Sequence, residues 1–300
     1  MKNKFAVDCR VTSLLAKKRR RKRQGLEGRA AQTALNIYLW LTVALAIFPV
    51  LMTLLFSFKS VTDFDRGVWA FPEKLMLSNY SYGFVSIMKN MLNSVCVCLI
   101  TTVASIGISA FVAYVFTHKE FYGKNVLFSL IIALMMVPGV LALTPRYLLI
   151  FDLGINNSWF ALILPWVSGN QVGSIFLFRT FMGQQPKDLY ESAKIDGGGD
   201  FVLFFYFAVP LAVPILIIQA IGLFSSAYND YLWSMLVIDN ESIQMLMPLL
   251  KALIQDAVRN TGNPGTSYAM YLISGIPLII SSAIGLRFFI NGDFASGLKL

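Results

Sequence analysis

Six stretches of this chain have no Asp, Glu, Lys or Arg: Ala30–Phe58, Asn90–Thr117, Asn125–Pro145, Leu153–Phe178, Phe201–Asn229 and Asn260–Leu286. Charged residues make up only 14% of the whole, against about 25% in a soluble domain, which must cover its surface with them. That excludes an ordinary soluble fold. The absence of ionisable groups inside the apolar stretches also excludes the intramembrane proton relays and voltage sensors that depend on such groups. Histidine occurs once, at His118, and cysteine three times, with no CxxC. Cys96 and Cys98 are two residues apart, a spacing that does not bring helical side chains together, so no metal or redox centre is expected. No GxxxxGK[ST] phosphate loop is present, and the glycines at 197–199 lack the Lys-Ser/Thr that would make one. If this chain moves anything uphill, the energy enters from another subunit.

What remains is apolar and long. Each charge-free window reaches about 20 residues, enough for an α-helix to cross roughly 30 Å of hydrocarbon. Inside lipid the backbone must satisfy its own hydrogen bonds, which favours helices, and the short alternating segments of a β-barrel are missing. The expectation is an all-α membrane protein with six transmembrane helices at about 36–58, 91–116, 126–145, 158–178, 201–225 and 268–289. These form one domain, 34–300, behind a tail of residues 1–33. That tail holds eleven Lys/Arg and two Asp/Glu, and so the entire net charge of +9. Its run Lys17–Arg23 (KKRRRKR) fits a nucleic-acid patch, but a span follows within about 15 residues, as in a positive-inside anchor that can touch anionic lipid. No nucleic-acid partner is expected. With the N-terminus inside and six spans, both termini are cytoplasmic; no cleavable signal peptide is expected.

The connecting segments are unequal. An outer segment, Lys59–Lys89, contains LSNYSYGF. The inner segment RTFMGQQPKDLYESAKIDGGGD covers 179–200, and an outer loop, 226–267, carries the amphipathic SIQMLMPLLKALI and the turn-rich NTGNPGT. Within the inner segment, Pro186 suits a first helical turn and Gly197 a left-handed helix end. KDLYESAKID between them predicts a helix of about 16 Å. Asp188 and Lys194 complement its dipole, and Lys187/Glu191 and Glu191/Lys194 have the spacing of ion pairs. Leu189 and Ala193 share a face. A helix this short needs a partner surface to be stable. On the residues alone it could equally be a capped cytoplasmic loop.

Glu191-Ser192-Ala193-Lys194-Ile195-Asp196-Gly197, followed by Val209-Pro210 and Pro214, resembles the signature loop of ABC importer permeases, roughly E-A-A-x-x-D-G and then a hydrophobic-x-x-P. Arg179-Thr180-Phe181, Pro186, Asn93-Ser94, Met136-Val137-Pro138, Tyr228-Asn229 and the C-terminal FFINGDFASGLK resemble the carbohydrate branch that contains the maltose-type second permease. The resemblance covers about residues 36–300. Ser192 stands for the usual alanine. Gly198 and Gly199 replace an alanine and a polar residue, which predicts a looser bend. Phe205, Tyr206 and Phe207 stand where basic residues and isoleucine are common.

The resemblance implies a type I ABC importer permease fold in the bacterial inner (cytoplasmic) membrane, forming half of a pathway. It implies a second homologous permease, two copies of a cytoplasmic ABC ATPase and an external solute-binding protein that delivers a saccharide. ATP and magnesium would be held by the ATPase, with no cofactor in this chain and no enzymatic activity of its own. Residues Pro186, Leu189, Tyr190, Glu191, Ser192, Ala193, Lys194, Ile195, Asp196 and Gly197 would form the cytoplasmic coupling helix. The tail 291–300 would reach the same interface. Asn260, Thr261, Gly262, Asn263, Pro264, Gly265 and Thr266 would meet the binding protein. Gln219, Tyr228 and Asn229 are the candidates for the sugar path, since sugars want aromatic faces and amide or hydroxyl partners, although such polar groups also join helices. A non-sugar substrate, or an ATP-independent pore or carrier, is the alternative.

Overall fold

The computed structural model describes residues 31–290; the Lys17–Arg23 run and the tail 291–300 lie outside the described residues. The chain divides into two compact units, 1–56 and 57–300. In the first, α1 (Ala31–Ser57) is a single apolar helix. All regular structure among the described residues of the second is helical: α2 (Val61–Asp65), α3 (Ser78–His118), α4 (Lys124–Leu134), a 3-10 turn (Gly139–Ala142), α5 (Leu143–Asp152), α6 (Phe160–Met182), α7 (Lys187–Ile195), α8 (Asp200–Leu203), a π segment (Phe204–Ala208), α9 (Val209–Tyr228), α10 (Leu232–Val237), α11 (Leu246–Thr261) and α12 (Gly265–Ile290).

Five of the expected spans are single helical runs, at 31–57, 78–118, 160–182, 200–228 and 265–288. The third is not. Where one helix was expected over 126–145, the chain breaks after Leu134 and resumes at Gly139, and the two arms meet at 91°. Pro138 takes an extended ψ of 125° immediately before the second arm. Proline has no N–H to give and pushes its predecessor out of helical geometry, so the break falls at the residue that carries the restriction. A second difference is the length of α3. Its 41 residues span about 60 Å at 1.5 Å per residue, and they absorb Ser78–Lys89 from the expected outer segment. A single exposed Lys89 ended the charge-free window without ending the helix.

In the second unit α3 packs most extensively along α6, and also against α12, α9 and α11. Its buried face is built from small and hydroxyl residues, Ser94, Thr101, Ser105, Ser109, Ala110 and Ala113, which let helix backbones approach. Two main cores lie at opposite ends of α3. One gathers Ile87, Val97, Trp166, Phe224, Trp233, Leu246 and their neighbours. The other gathers Tyr114, Phe178, Met182, Tyr190, Phe204 and Leu216. Buried amides close the first end. Gln244 donates from Nε2 to the carbonyls of Ser234 (3.2 Å) and Ile238 (2.6 Å) and accepts at Oε1 from the Ser234 hydroxyl (2.9 Å). Asn90 Nδ2 donates to the Glu241 and Gln244 carbonyls, both at 3.0 Å, and Asn93 Nδ2 to that of Ser242 at 3.0 Å. The segment between α10 and α11 is thereby clamped onto α3, where a buried unpaired amide would be costly.

Candidate functional site

The second core positions α7. The helix follows Pro186, whose ψ of 123° keeps it just outside the first turn as the N-cap. At the other end Asp196 is the C-cap and Gly197 adopts φ +83°. The N–H of Gly197 bonds the Lys194 carbonyl at 3.0 Å and that of Gly198 the Ala193 carbonyl at 2.9 Å, the paired 5→2 and 6→1 closure of a Schellman turn. The bend is therefore tight, contrary to the looser one expected from the extra glycines. A Cβ on Gly198 would stand 2.7 Å from the Ala193 carbonyl oxygen, so the departure from the usual alanine has a steric cause.

One face of α7 is fastened to its own chain. Tyr190 is 4% exposed and Ala193 8%. The Tyr190 ring stacks on His118 of α3, with ring centroids 4.1 Å apart, and its hydroxyl donates to Gln185 Oε1. Gln185 Nε2 in turn donates to the Ala208 carbonyl at 3.3 Å. An ion pair between Lys119 and Asp200 ties the end of α3 to the start of α8. The opposite face is open: Leu189 is 41% and Ile195 86% exposed, and Glu191, Ser192 and Lys194 are also exposed. Of the face that Leu189 and Ala193 share, only Ala193 is packed; Tyr190 and Ala193, at i,i+3, form the buried side. Neither Lys187–Glu191 nor Glu191–Lys194 is among the ion pairs of the described residues; all three residues are exposed. Ser192 instead donates back to the carbonyl of Asp188 at 2.9 Å.

Past α8 the chain underwinds. Phe204–Ala208 is π-helical, with the Val209 N–H bonding the Phe204 carbonyl five residues back. Pro210 explains the position, since it has no N–H for the Tyr206 carbonyl and its ring would crowd that oxygen in a regular helix. Phe204 and Ala208 point into the core beside Tyr114, while Phe205 and Tyr206 are exposed.

The other candidates are dispersed. Gln219 Nε2 donates to Ser174 Oγ of α6 at 3.0 Å. Tyr228 is fully buried, its hydroxyl donating to the Ser274 carbonyl of α12 at 2.8 Å. Asn229 is exposed and donates to the Ser225 carbonyl at 2.8 Å. The first two thus join helices. In the 260–266 stretch, Asn260 and Thr261 end α11 and Gly262 caps it at φ +66°. Asn260, Gly262 and Pro264 are exposed, whereas Asn263, Gly265 and Thr266 are buried. Asn263 Nδ2 donates to Asn79 Oδ1 at 2.9 Å and to the Lys59 carbonyl at 3.1 Å. Half of the supposed loop is a hydrogen-bonded knot against α3. Gln185 and Gln244, which hold the two ends, carry no sequence signal beyond being amides beside apolar runs.

The second unit is thus a bundle of membrane-length helices with a short helix, α7, fastened beside the π turn that precedes α9. Residues 105–291 match the model of the family described as binding-protein-dependent transport system inner membrane component, and the chain belongs to that family. It is similar to the probable ABC transporter permease protein YurM of Bacillus subtilis, 29% identical over 269 residues and 89% of each chain. It is 28% identical to the arabinooligosaccharides transport system permease protein AraQ of the same organism, over 89% of this chain and 95% of that one. It is also 28% identical to the trehalose transport system permease protein SugB of Mycobacterium tuberculosis, over 86% and 94%. A chain from the crystal structure of a bacterial ABC transporter involved in import of the acidic polysaccharide alginate shares the fold, with a TM-score of 0.76 at 21% identity, over 87% of this chain and 97% of that one.

Proposed function

We propose that this permease forms half of an import pathway for a sugar or oligosaccharide brought by an external binding protein, and that α7 is its coupling helix to a cytoplasmic ABC ATPase. The observation that carries the coupling role is the two-faced packing of α7. Tyr190 and Ala193 bind it to α3, α6 and the π segment, so it cannot move without moving them. Leu189 and Ile195 remain apolar and uncovered, the chemistry of a docking face. The saccharide assignment is supported by relatives named for arabinooligosaccharides and trehalose. In this reading the bent pair counts as the third of six spans and both termini are cytoplasmic. A second permease completes the pathway, two ATPase copies hold ATP and magnesium, and the exposed Asn260, Gly262 and Pro264 face the binding protein.

The test is Gly197→Val in the assembled transporter. A branched residue at φ +83° is strained and opens the turn that sets the exit of α7. Membrane insertion is expected to persist while uptake and ATP hydrolysis separate: hydrolysis in reconstituted vesicles no longer rises with loaded binding protein. Unchanged stimulated hydrolysis together with unchanged uptake refutes the role. Co-purification in mild detergent with a second permease and two ATPase copies checks the assembly itself.

A further inference from the structure

Beside α7 lies a pocket of about 420 Å³ whose lining includes His118 from the end of α3, Lys124 from the start of α4, Arg179 from the end of α6, Gln185 from the α6–α7 connection, and Lys187. It holds three cationic side chains and no carboxylate. Lys124 is committed, donating to the Lys119 carbonyl at 2.8 Å and to Glu120 at 2.9 Å. Arg179 and Lys187 have no acidic partner among the described residues. The Arg179 guanidinium is held over the Phe128 ring at 3.6 Å, a stacked arrangement suited to it. His118 Nε2 is buried without a hydrogen-bond partner. α7 opens with no side-chain cap, leaving first-turn N–H groups and the positive end of its dipole beside Lys187.

We propose that this pocket binds a phosphate group, and that its source is the headgroup of an anionic phospholipid. A concave site with two uncompensated cations stabilises an anion, and guanidinium and ammonium groups suit phosphate oxygens. The pocket lies where α3 and α6 end and α4 begins, at the end of apolar spans, the level at which basic pockets between membrane helices meet lipid headgroups. Next to it α4 exposes Val126, Leu127 and Leu130, an apolar surface along which acyl chains can lie. Free phosphate shares the headgroup chemistry without that apolar contact. The site depends on the chain being embedded in a bilayer and not on the substrate or the role of α7, so a failed Gly197 test leaves it standing.

The experiment takes the assembled transporter, purified in mild detergent from a membrane containing phosphatidylglycerol and phosphatidylethanolamine, with bound lipid measured by native mass spectrometry. Phosphatidylglycerol is expected to be enriched on the wild type, and the Arg179→Gln/Lys187→Gln variant to lose about tenfold of it, since each basic residue near the surface adds its own attraction for anionic lipid. Arg259→Gln, exposed in the last turn of α11, which packs in the other core, controls for charge alone and is expected to retain the lipid; Arg179→Lys is expected to restore part of it. Thermal stability of the detergent-purified complex with added inorganic phosphate forms the second arm. Stabilisation by phosphate that is lost in the double variant, without lipid enrichment, assigns the site to a soluble phosphate and overturns the lipid source. No enrichment and no phosphate effect, or equal loss in Arg259→Gln, overturns the site.

Discussion

Gly265 shows how little space the α11–α12 connection leaves. A Cβ there would stand 2.5 Å from the Lys59 carbonyl oxygen and 2.6 Å from Asn79 Nδ2, inside the knot that also contains Asn263 and Thr266. Asn79 Nδ2 already donates to the carbonyls of Ser57 (2.9 Å) and Lys59 (3.1 Å), so it has no free direction in which to yield. Gly265→Ala is expected to cost about 1–3 kcal/mol, the range for overpacking a filled interior, and to lower the melting temperature of the detergent-purified chain. Gly107→Ala is the control. Its Cβ meets nothing within 4 Å, and a helical glycine gains about 0.5–1 kcal/mol on becoming alanine. Equal melting temperatures for the two variants would show that the knot is loose.

At the scale of elements, the fifth span is set by Pro210. The π turn of Phe204–Ala208 adds one residue to the winding ahead of it, which rotates Phe204 and Ala208 inward to Tyr114 and keeps the Ala208 carbonyl available to Gln185. Pro210→Ala restores a donor for the Tyr206 carbonyl and removes the ring clash. The segment is then expected to relax to regular α-helix, turning its inward residues away by roughly 100°, one residue of helical rotation. Since Tyr190 is fastened through Gln185 to this segment, the expected outcome is normal expression with binding-protein-stimulated ATP hydrolysis reduced several-fold in vesicles. Full stimulation would show that the π turn does not set the seat of α7.

The same elements show what was legible beforehand. The apolar windows located five spans because lipid demands continuous hydrocarbon, and Pro186 and Gly197 bracketed α7 because those residues restrict backbone angles. The break at Pro138 was not read, since a proline inside an apolar window is compatible with a kink, a break or an unbroken span until packing decides. The buried face of α7 was missed for a related reason. Periodicity offers Leu189–Ala193 and Tyr190–Ala193 equally, and only the position of His118 and Gln185 selects the second. Likewise Tyr228 and Gln219 are polar groups whose role depends on whether another helix stands opposite, which sequence spacing within one helix does not contain.

For the whole molecule, the question is whether force enters through the open side of α7 and leaves through its fastened side. The two sides can be separated by substitution. Ile195 is 86% exposed, so Ile195→Asp is expected to change the stability of the isolated chain by no more than about 0.5 kcal/mol, as for other surface positions. If Ile195 anchors the ATPase, losing its burial and placing a charge there weakens capture by about tenfold or more, equivalent to roughly 1.4 kcal/mol. Tyr190→Ala acts in reverse. It empties a buried ring site and leaves Gln185 without its hydroxyl partner, which is expected to destabilise the chain by about 3 kcal/mol. Titrating the purified ATPase onto permease in lipid nanodiscs, alongside thermal unfolding of the same samples, reads both quantities. An Ile195→Asp protein that is as stable as wild type and captures ATPase equally well would remove the outward face of α7 from the interface. Weak capture with unchanged stability places the contact on that face, with Tyr190 and Ala193 carrying its displacement into α3, α6 and α9.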